Sequence, residues 1–362
     1  MENEPEEVRG TTSRARFLGG AAGLTGLAFA GGIFTKEAKA STRASTGSGK
    51  RAFVSGNFAL QLDGGKNTGM LKTAQGGQIF AEPVAENTDG LYAKKHIGNV
   101  KWADITVQMG LTLPAAFYQW IADSWSFGPQ RKDGAVLAAD FNNNVVKELD
   151  FYNALITEVT IPALDASSKD AAYLTLKLTP DSTQPKKPSG TLSTIGGTKQ
   201  QKPWLASNFR LELGKLDTSK VSKIESFTIK QTMAQPSTDL GDVTFPDQAL
   251  VVSVPPYNLQ PGQIDFPNLR VTLTEASAQT WIDWVESFIR QGNNSDDYEK
   301  TGKLTFLASD QSELAHIDLF GVGIFDLTDE RPLDSTADTI RRLVAELYVE
   351  RMAFVFPGIR GT

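Results

Sequence analysis

Cysteine is absent from this chain of 362 residues, and histidine occurs only twice, as His96 and His316. Without cysteine the chain can form no disulfide, no thiolate metal site and no cysteine nucleophile. Two histidines so far apart argue against a histidine metal cluster and against Ser-His-Asp catalysis. The Gly-x-Ser-x-Gly pattern of serine hydrolases is also missing. We therefore predict that the protein is not an enzyme and binds no cofactor or metal.

A surplus of basic side chains is also lacking, because 36 lysine and arginine residues stand against 42 aspartate and glutamate residues. The formal net charge is −6, whereas general nucleic-acid binding through phosphates needs a basic surface. Hydrophobic residues make up 40% of the chain, enough to build buried cores. A length of 362 residues predicts two domains, with three as the alternative.

The first 51 residues differ in composition from the rest of the chain. Three arginines precede an apolar segment and a small-x-small triplet: Arg9, Arg14 and Arg16, then Phe17–Phe34, then Ala38–Ala40. A basic segment, an apolar segment and such a triplet are the parts of an export signal. The stretch Ser13–Leu18 resembles a twin-arginine signal, with Ala15 in place of the second arginine. We expect a signal-like segment, the only part that would contact a membrane, although a retained tail is the alternative.

Residues 104–160 and 268–326 repeat one order of apolar positions. In each stretch an alternating strand is followed by a tryptophan-bearing helix, a glycine and a second strand with an aspartate. The matching positions are Ile105 and Leu269, Val107 and Val271, Trp120 and Trp284, Gly134 and Gly302, and Asp150 and Asp318. A chain that repeats a core module without repeating a reactive group is typical of a structural building block.

Each copy is predicted to be mostly strand with one helix. Alternating apolar and polar residues, the period of a half-buried strand, open the copies at residues 57–63 and 208–214. The helices carry apolar residues three and four positions apart, and Gly128 and Gly292 are expected to end them. This spacing predicts four aromatics in the module cores: Phe117, Trp120, Trp281 and Trp284. Interface anchors are the alternative for the tryptophans.

The predicted fold is mainly β (α+β), with two tandem β-sandwich or barrel modules that each have one flanking helix. The boundaries are 1–51 for the signal-like segment and Ser/Gly linker, 52–182 for module one, 183–204 for a second linker and 205–356 for module two. Two long segments, Pro83–Ile97 and Thr232–Ile264, interrupt the strand pattern and are predicted to be loops. Loops of this length in a compact module are usually functional or contact a partner.

The segment Lys95–Val107 resembles the centre of the contractile-phage tail tube family. That family has a lysine-rich turn and a glycine, then a strand, then a tryptophan-bearing helix. The segments Phe117–Ile121, Arg131–Gly134 and Asp150–Ala154 continue the resemblance in the same order. The likeness covers residues 52–180 well and 205–355 more weakly, since the second copy lacks the basic run before its strand.

The resemblance implies modules that close side by side into rings, and rings that stack into a hollow tube. A chain with two modules would then form a trimeric ring with pseudo-sixfold symmetry. Ring stacking would involve residues of the two long segments: Pro83, Lys94, Lys95, His96, Pro246, Pro255 and Tyr257.

The partners implied by the resemblance are further copies of the chain and sheath, baseplate or tube-initiator proteins. DNA or an effector would pass through the lumen without specific binding, and the location would be a virion tail or an extracellular injection apparatus. An exported two-module β-sandwich protein for binding or adhesion is the alternative. Adhesion would place exposed aromatics on one sheet face, whereas the tryptophans here fall on helix stripes, which favours the tube. A hydrolase on a β scaffold is least favoured.

Overall fold

The structure is a computed structural model. It describes residues 56–65, 67–86, 92–111, 113–126, 128, 130–192, 204–234, 260–330 and 340–357. Within these residues strands predominate and α-helices are few, so the prediction of a mainly β fold is confirmed. The N-terminal signal-like segment lies outside the described residues. No helix in the described part of the chain is long and apolar enough to span a membrane.

The first half of the described chain contributes eleven strands and one helix. They are β1 (Asn57–Leu62), β2 (Asn67–Leu71), β3 (Thr73–Gly76), β4 (Ile79–Glu86), β5 (Lys94–Trp102), β6 (Ile105–Met109), α1 (Ala115–Ser124), β7 (Lys132–Ala139), β8 (Val145–Ile161), β9 (Leu164–Asp165), β10 (Leu174–Thr179) and β11 (Ser182–Lys186).

The second half contributes eight strands and one α-helix, which a π-helical turn at Glu286–Arg290 prolongs. They are β12 (Phe209–Leu213), β13 (Val221–Ile224), β14 (Phe227–Ala234), β15 (Gln260–Asp265), β16 (Leu269–Thr274), α2 (Gln279–Val285), β17 (Lys300–Leu307), β18 (Glu313–Asp329) and β19 (Arg342–Val355).

The two halves arrange their strands in the same order. The first sheet runs β2-β1-β7-β8-β10-β6-β3, and the second runs β12-β17-β18-β19-β16-β13-β9. Strands β1, β7, β8, β10, β6 and β3 thus match β12, β17, β18, β19, β16 and β13 in sequence order and in neighbours. All these pairings are antiparallel. Strands β10 and β11 pair one after the other with β8, whereas the single long strand β19 pairs with the corresponding length of β18.

The alternation of apolar and polar residues in the strands corresponds to an alternation of buried and more exposed side chains. In β6, Ile105, Val107 and Met109 are buried and the residues between them are half-buried. The helix α1 covers this apolar face with Phe117 and Trp120. Because side chains three and four residues apart share one face of a helix, the spacing in the sequence was sufficient to predict this packing.

One tryptophan of each helix donates a hydrogen bond from its indole nitrogen to a neighbouring loop. Trp120 Nε1 donates to the carbonyl oxygen of Gln130 at 2.8 Å, and Trp281 Nε1 donates to that of Asp217 at 2.9 Å. Gly292 follows α2 in a left-handed conformation, as expected for a helix end. The expectation for Gly128 is wrong, because α1 already ends at Ser124 and lacks a left-handed glycine cap.

The prediction of two long loops is wrong for part of each segment. Residues 83–86 and 94–97 are in the antiparallel strands β4 and β5, and residues 87–91 lie outside the described part. The ends of Thr232–Ile264 belong to the hairpin of β14 and β15, while residues 235–259 lie outside the described part. The first residues assigned to the linker at 183–204 are in β11, which pairs with β8. Pro83 lies within β4 because a strand edge or a bulge tolerates a residue without an N–H. The β4–β5 register shifts between Ala81 and Pro83, at such an irregularity.

Candidate assembly interface

A strand from the second half of the chain completes the sheet of the first half. Strand β14 pairs antiparallel with the last four residues of β8, opposite the side that β10 occupies. The register sets Phe227 opposite Ile161, Thr228 opposite Thr160, Ile229 opposite Val159 and Lys230 opposite Glu158. The hydroxyls of Thr160 and Thr228 are 2.9 Å apart and hydrogen-bonded. We call this contact, together with the two described next, the internal junction.

A shorter pairing runs in the other direction across the internal junction. Strand β9 of the first half pairs with β13, with Leu164 opposite Ile224 and Asp165 opposite Lys223. The Ser167 hydroxyl and backbone N–H, which both donate to the Asp165 carboxylate, lower the pKa of that carboxyl, and the charge of Lys223 acts in the same direction. The ionised Asp165 carboxylate therefore stabilises the turn after β9.

Aromatic stacking is the third contact of the internal junction. Tyr118 and Trp125, at the two ends of α1, meet the chain at the end of β19. The Tyr118 ring stacks on Phe356 with centroids 4.2 Å apart, and Trp125 meets Phe354 edge-on at 5.7 Å. Burial raises the pKa of the Tyr118 hydroxyl, which accepts a hydrogen bond from the backbone N–H of Leu113 at 2.8 Å. The two halves consequently share one continuous hydrophobic core.

Strand registers define which positions correspond in the two halves. Ala74 of β3 lies opposite Val107, as Ile224 of β13 lies opposite Val271. Ile79 follows Ala74 by the same number of residues as Ile229 follows Ile224, so β4 corresponds to β14.

The partner strands correspond in the same way. Val107 pairs through Leu176 with Val159, and Val271 pairs through Ala345 with Leu327. Both β8 and β18 shift register just before this point, by one residue each. Leu327 therefore occupies in β18 the place that Val159 occupies in β8.

The hairpin of β4 and β5 lacks the strand partner that its counterpart has. Among the described residues β4 pairs only with β5, in a sheet of two strands. Ile79 is 55% exposed, whereas Ile229 at the corresponding position is 2% exposed beneath β8. Further large apolar side chains of the hairpin are also exposed: Phe80, Val84 and Ile97. We call this surface the free hairpin.

The end of β18 lacks a partner in the complementary way. Strand β17 pairs with β18 only as far as Val322, so residues 325–329 pair on one side, with β19, in the described part of the chain. Phe325 and Asp329 are exposed, whereas Ile161, the counterpart of Asp329, is fully buried. We call residues 325–329 the free edge.

The helix α2 shows a third uncovered surface. Taking Trp284 to correspond to Trp120, Ile282 corresponds to Tyr118, because each lies two residues before its tryptophan. Ile289 corresponds to Trp125 in the same way, five residues after the tryptophan. Tyr118 and Trp125 are buried against the second half, whereas Ile282 and Ile289 are 43% and 45% exposed. Two contacts of the internal junction, the β14–β8 pairing and the packing of α1, thus have uncovered counterparts on the outer side of the chain.

Comparison with known proteins finds a family model that matches part of the first half. Residues 54–184 match the T4-like virus tail tube protein gp19 family. The tail tube resemblance seen in the sequence is confirmed for these residues. No match is found among curated proteins.

Solved structures also align with the chain, each over a minor part of it. A chain of an extracellular contractile injection system (PVC sheath–tube complex, extended state) aligns at 18% identity, over 38% of this chain and 93% of that chain, with a TM-score of 0.34. The tube-terminating cap of the anti-feeding prophage aligns at 22% identity, over 36% and 87%, with a TM-score of 0.32. Hcp1 from Flavobacterium johnsoniae aligns at 15% identity, over 37% and 98%, with a TM-score of 0.27. Such low scores carry no functional weight.

The residues predicted for ring stacking in the tail tube segment lie on the free hairpin. Pro83, Lys94, Lys95 and His96 are exposed there. Pro246, Pro255 and Tyr257 lie outside the described residues. Ile79 and Leu327 were not singled out in the sequence. A comparison of residues 74–80 with 224–230 could have found Ile79, whereas Leu327 is placed only by the strand registers.

The predicted core aromatics are placed away from any surface. Phe117, Trp120 and Trp281 are fully buried, and Trp284 is buried with the Lys300 ammonium 4.8 Å from its ring centroid. The recurring aspartates have polar neighbours: Asp150 pairs with the Lys186 ammonium at 3.3 Å, and Asp318 lies 3.5 Å from the His316 ring nitrogen. In the described residues no three acidic or histidine side chains come together to hold a metal ion.

Proposed function

We propose that the protein is a structural subunit of a phage-tail-like inner tube. The chain comprises two tandem tube modules, residues 52–182 and 205–356, and three chains close a ring of six modules around a hollow bore. Rings stack to build the tube. The observation that carries this proposal is the tail tube family match at residues 54–184, followed by a second half with the same strand order.

The arrangement of surfaces supports ring formation. The free hairpin belongs to the first half, and the free edge and the exposed face of α2 belong to the second half. A contact between unlike surfaces repeats from copy to copy, and it closes into a ring when the rotation per copy divides a full turn. Since the internal junction already joins two modules through these same elements, its repetition would extend the series.

Stacking and partners follow from the same proposal. The tip of the free hairpin, with Pro83 and Lys94–His96, and the segment with Pro246, Pro255 and Tyr257 would contact the next ring. The outer wall would meet sheath proteins and the tube ends would meet baseplate or initiator proteins, in a virion tail or an extracellular injection apparatus. DNA or an effector would pass along the bore without specific binding, in keeping with a net charge of −6.

The adhesion alternative is less well supported. The tryptophans that a carbohydrate or surface-binding module would present on an open face are mostly buried here: Trp120, Trp125, Trp204, Trp281 and Trp284. We therefore advance the structural role alone, with no enzymatic activity and no cofactor.

Mass measurement and imaging of the purified full chain test the proposal. We expect particles of three times the chain mass of 39.2 kDa, and rings or tubes by negative-stain electron microscopy. A stable monomer at micromolar concentration, without rings, would contradict it.

A further inference from the structure

We infer that neighbouring chains join by antiparallel strand pairing between the free hairpin of one chain and the free edge of a second copy. Strand β4 would lie along residues 325–329 of the neighbour. The register sets Gln78 opposite Thr328, Ile79 opposite Leu327 and Phe80 opposite Asp326. This inference rests on the proposed ring and specifies its chain–chain contact.

The internal junction supplies the register. There the second-half hairpin pairs with β8 so that Ile229 faces Val159 and Lys230 faces Glu158. Because Ile79 corresponds to Ile229 and Leu327 corresponds to Val159, the same pairing applied between chains sets Ile79 opposite Leu327. A one-residue slip would turn every side chain of β4 to the other face, so the register taken from the internal junction is a specific prediction.

The unpaired edge at residues 325–329 and the exposed apolar residues of β4 both favour a pairing between them. An exposed strand edge offers unpaired N–H and C=O groups, which proteins cover or pair. Main-chain hydrogen bonds from an added strand give such a contact its affinity. Ile79, Phe80 and Phe325 are exposed in the isolated chain, and the contact would bury them as Ile229 is buried in the internal junction.

Charge distinguishes the chain–chain contact from the internal junction. In the internal junction a lysine lies directly opposite an acid, Lys230 opposite Glu158. Between chains Phe80 would lie opposite Asp326, and the lysine, Lys101, is Phe80's partner on β5. The buried Ile161 of the internal junction is replaced by Asp329. In the contact between chains, Asp326 and Asp329 would therefore have no lysine directly opposite them in the added strand.

Cysteine pairing tests the register directly, because the natural chain has no cysteine. One chain carries Ile79→Cys, and a second, tagged to differ in mass, carries Leu327→Cys. Directly opposite residues of antiparallel strands have Cα atoms about 4.5–5.5 Å apart, within the range that a disulfide spans. Mild oxidation of the mixture should yield a disulfide between the two chains on a non-reducing gel, and each chain alone should yield none.

Two matched controls fix the interpretation. Val159→Cys with Ile229→Cys in one chain should form an intramolecular disulfide, which shows that the strand geometry supports the bond. Ile79→Cys mixed with Asp326→Cys should give a yield lower by about tenfold, because the two side chains would point to opposite faces.

The outcomes separate the inference from the proposed function. Rings or tubes of the unmodified chain without the Ile79–Leu327 disulfide, or with equal yield for the slipped pair, would overturn the strand pairing and leave the tube. Absence of rings from the unmodified chain would contradict the proposed function and the pairing with it. Rings together with the register-specific disulfide would support both.

Discussion

Gly134 and Gly302 occupy the same place in the two halves, in β7 and β17. A Cβ at Gly134 would collide with the carbonyl oxygen of Gln61 and with the Phe151 ring, and a Cβ at Gly302 would collide with the carbonyl oxygen of Glu212. The repeated glycines therefore allow close approach of the neighbouring strand, whose backbone cannot retreat without breaking its ladder.

Alanine substitution tests this role of the glycines. We expect Gly134→Ala and Gly302→Ala each to lower the free energy of unfolding by about 1–3 kcal/mol, the usual cost of overpacking. Gly128→Ala is the matched control, since no atom lies within 4 Å of a Cβ there, and it should change stability by less than about 0.5 kcal/mol. Urea denaturation followed by tryptophan fluorescence measures all three; equal effects would rule out the close-approach explanation.

Asp165 gives the internal junction a pH dependence of known sign. Its pKa lies below the ordinary value of 3.8 in the folded chain, first because of the Ser167 hydroxyl. A lowered pKa contributes stability that is present above about pH 3.8 and is lost as pH falls through the folded-state pKa.

Replacement of this carboxylate should remove that contribution. Asp165→Asn should be less stable than the natural chain at neutral pH, and the two unfolding free energies should converge as the pH falls below the Asp165 pKa. Thermal or urea unfolding across pH 2–7, conditions chosen to span about two units on each side of a carboxyl pKa, makes the comparison. A constant difference across the series would mean that the charge of Asp165 is not the cause.

At the scale of elements, two strands with the same place in the fold have different surroundings. Ile229 in β14 is buried against β8, and Ile79 in β4 is exposed. Sequence alone does not separate them, because the local alternation is alike and the partner strand of β14 comes from a distant part of the chain. Burial at such positions is decided by a non-local contact.

The same substitution at the two positions should therefore have different effects. Ile229→Asp buries an uncompensated charge in the internal junction, and we expect it to lower the free energy of unfolding by roughly 3 kcal/mol or more. Ile79→Asp should change monomer stability by less than about 0.5 kcal/mol but abolish rings, because the aspartate would face Leu327 of a neighbour. Urea unfolding measures the stability of both variants, and negative-stain imaging shows whether they form rings. Unimpaired ring formation by Ile79→Asp would exclude the free hairpin from the contact between chains.

The sequence predicted those elements whose signal is local. The helix stripes at Trp120 and Trp284 and the alternating β6 and β16 follow from periods of 3.6 and 2, which each segment contains by itself. Only the parts of the hairpins β4–β5 and β14–β15 that fall within residues 83–97 and 232–264 were predicted as loops, because prolines and charged residues mask the alternation of edge strands. Strand β18 continues past Gly321 and Gly323 to Asp329, although glycine inside a strand weakens the local signal that would predict it.

At the scale of the whole molecule, the chain contains the internal junction and, on its two halves, exposed surfaces that correspond to it. In the proposed ring, each chain would make one such contact within itself and one with its neighbour. The exposed apolar residues Ile79, Phe80, Ile282, Ile289 and Phe325 are the surfaces that the second contact would cover. Their distribution on opposite modules favours a head-to-tail series over a symmetric dimer.

Cryo-electron microscopy of the assembled protein tests the central claim most directly. The account predicts a ring of three chains that shows six similar lobes around an open bore, with the internal junction and the chain–chain junction alternating around the ring and superimposing in their strand pairing. Six chains per ring, a closed dimer, or a chain–chain contact that leaves β4 and residues 325–329 uncovered would contradict it.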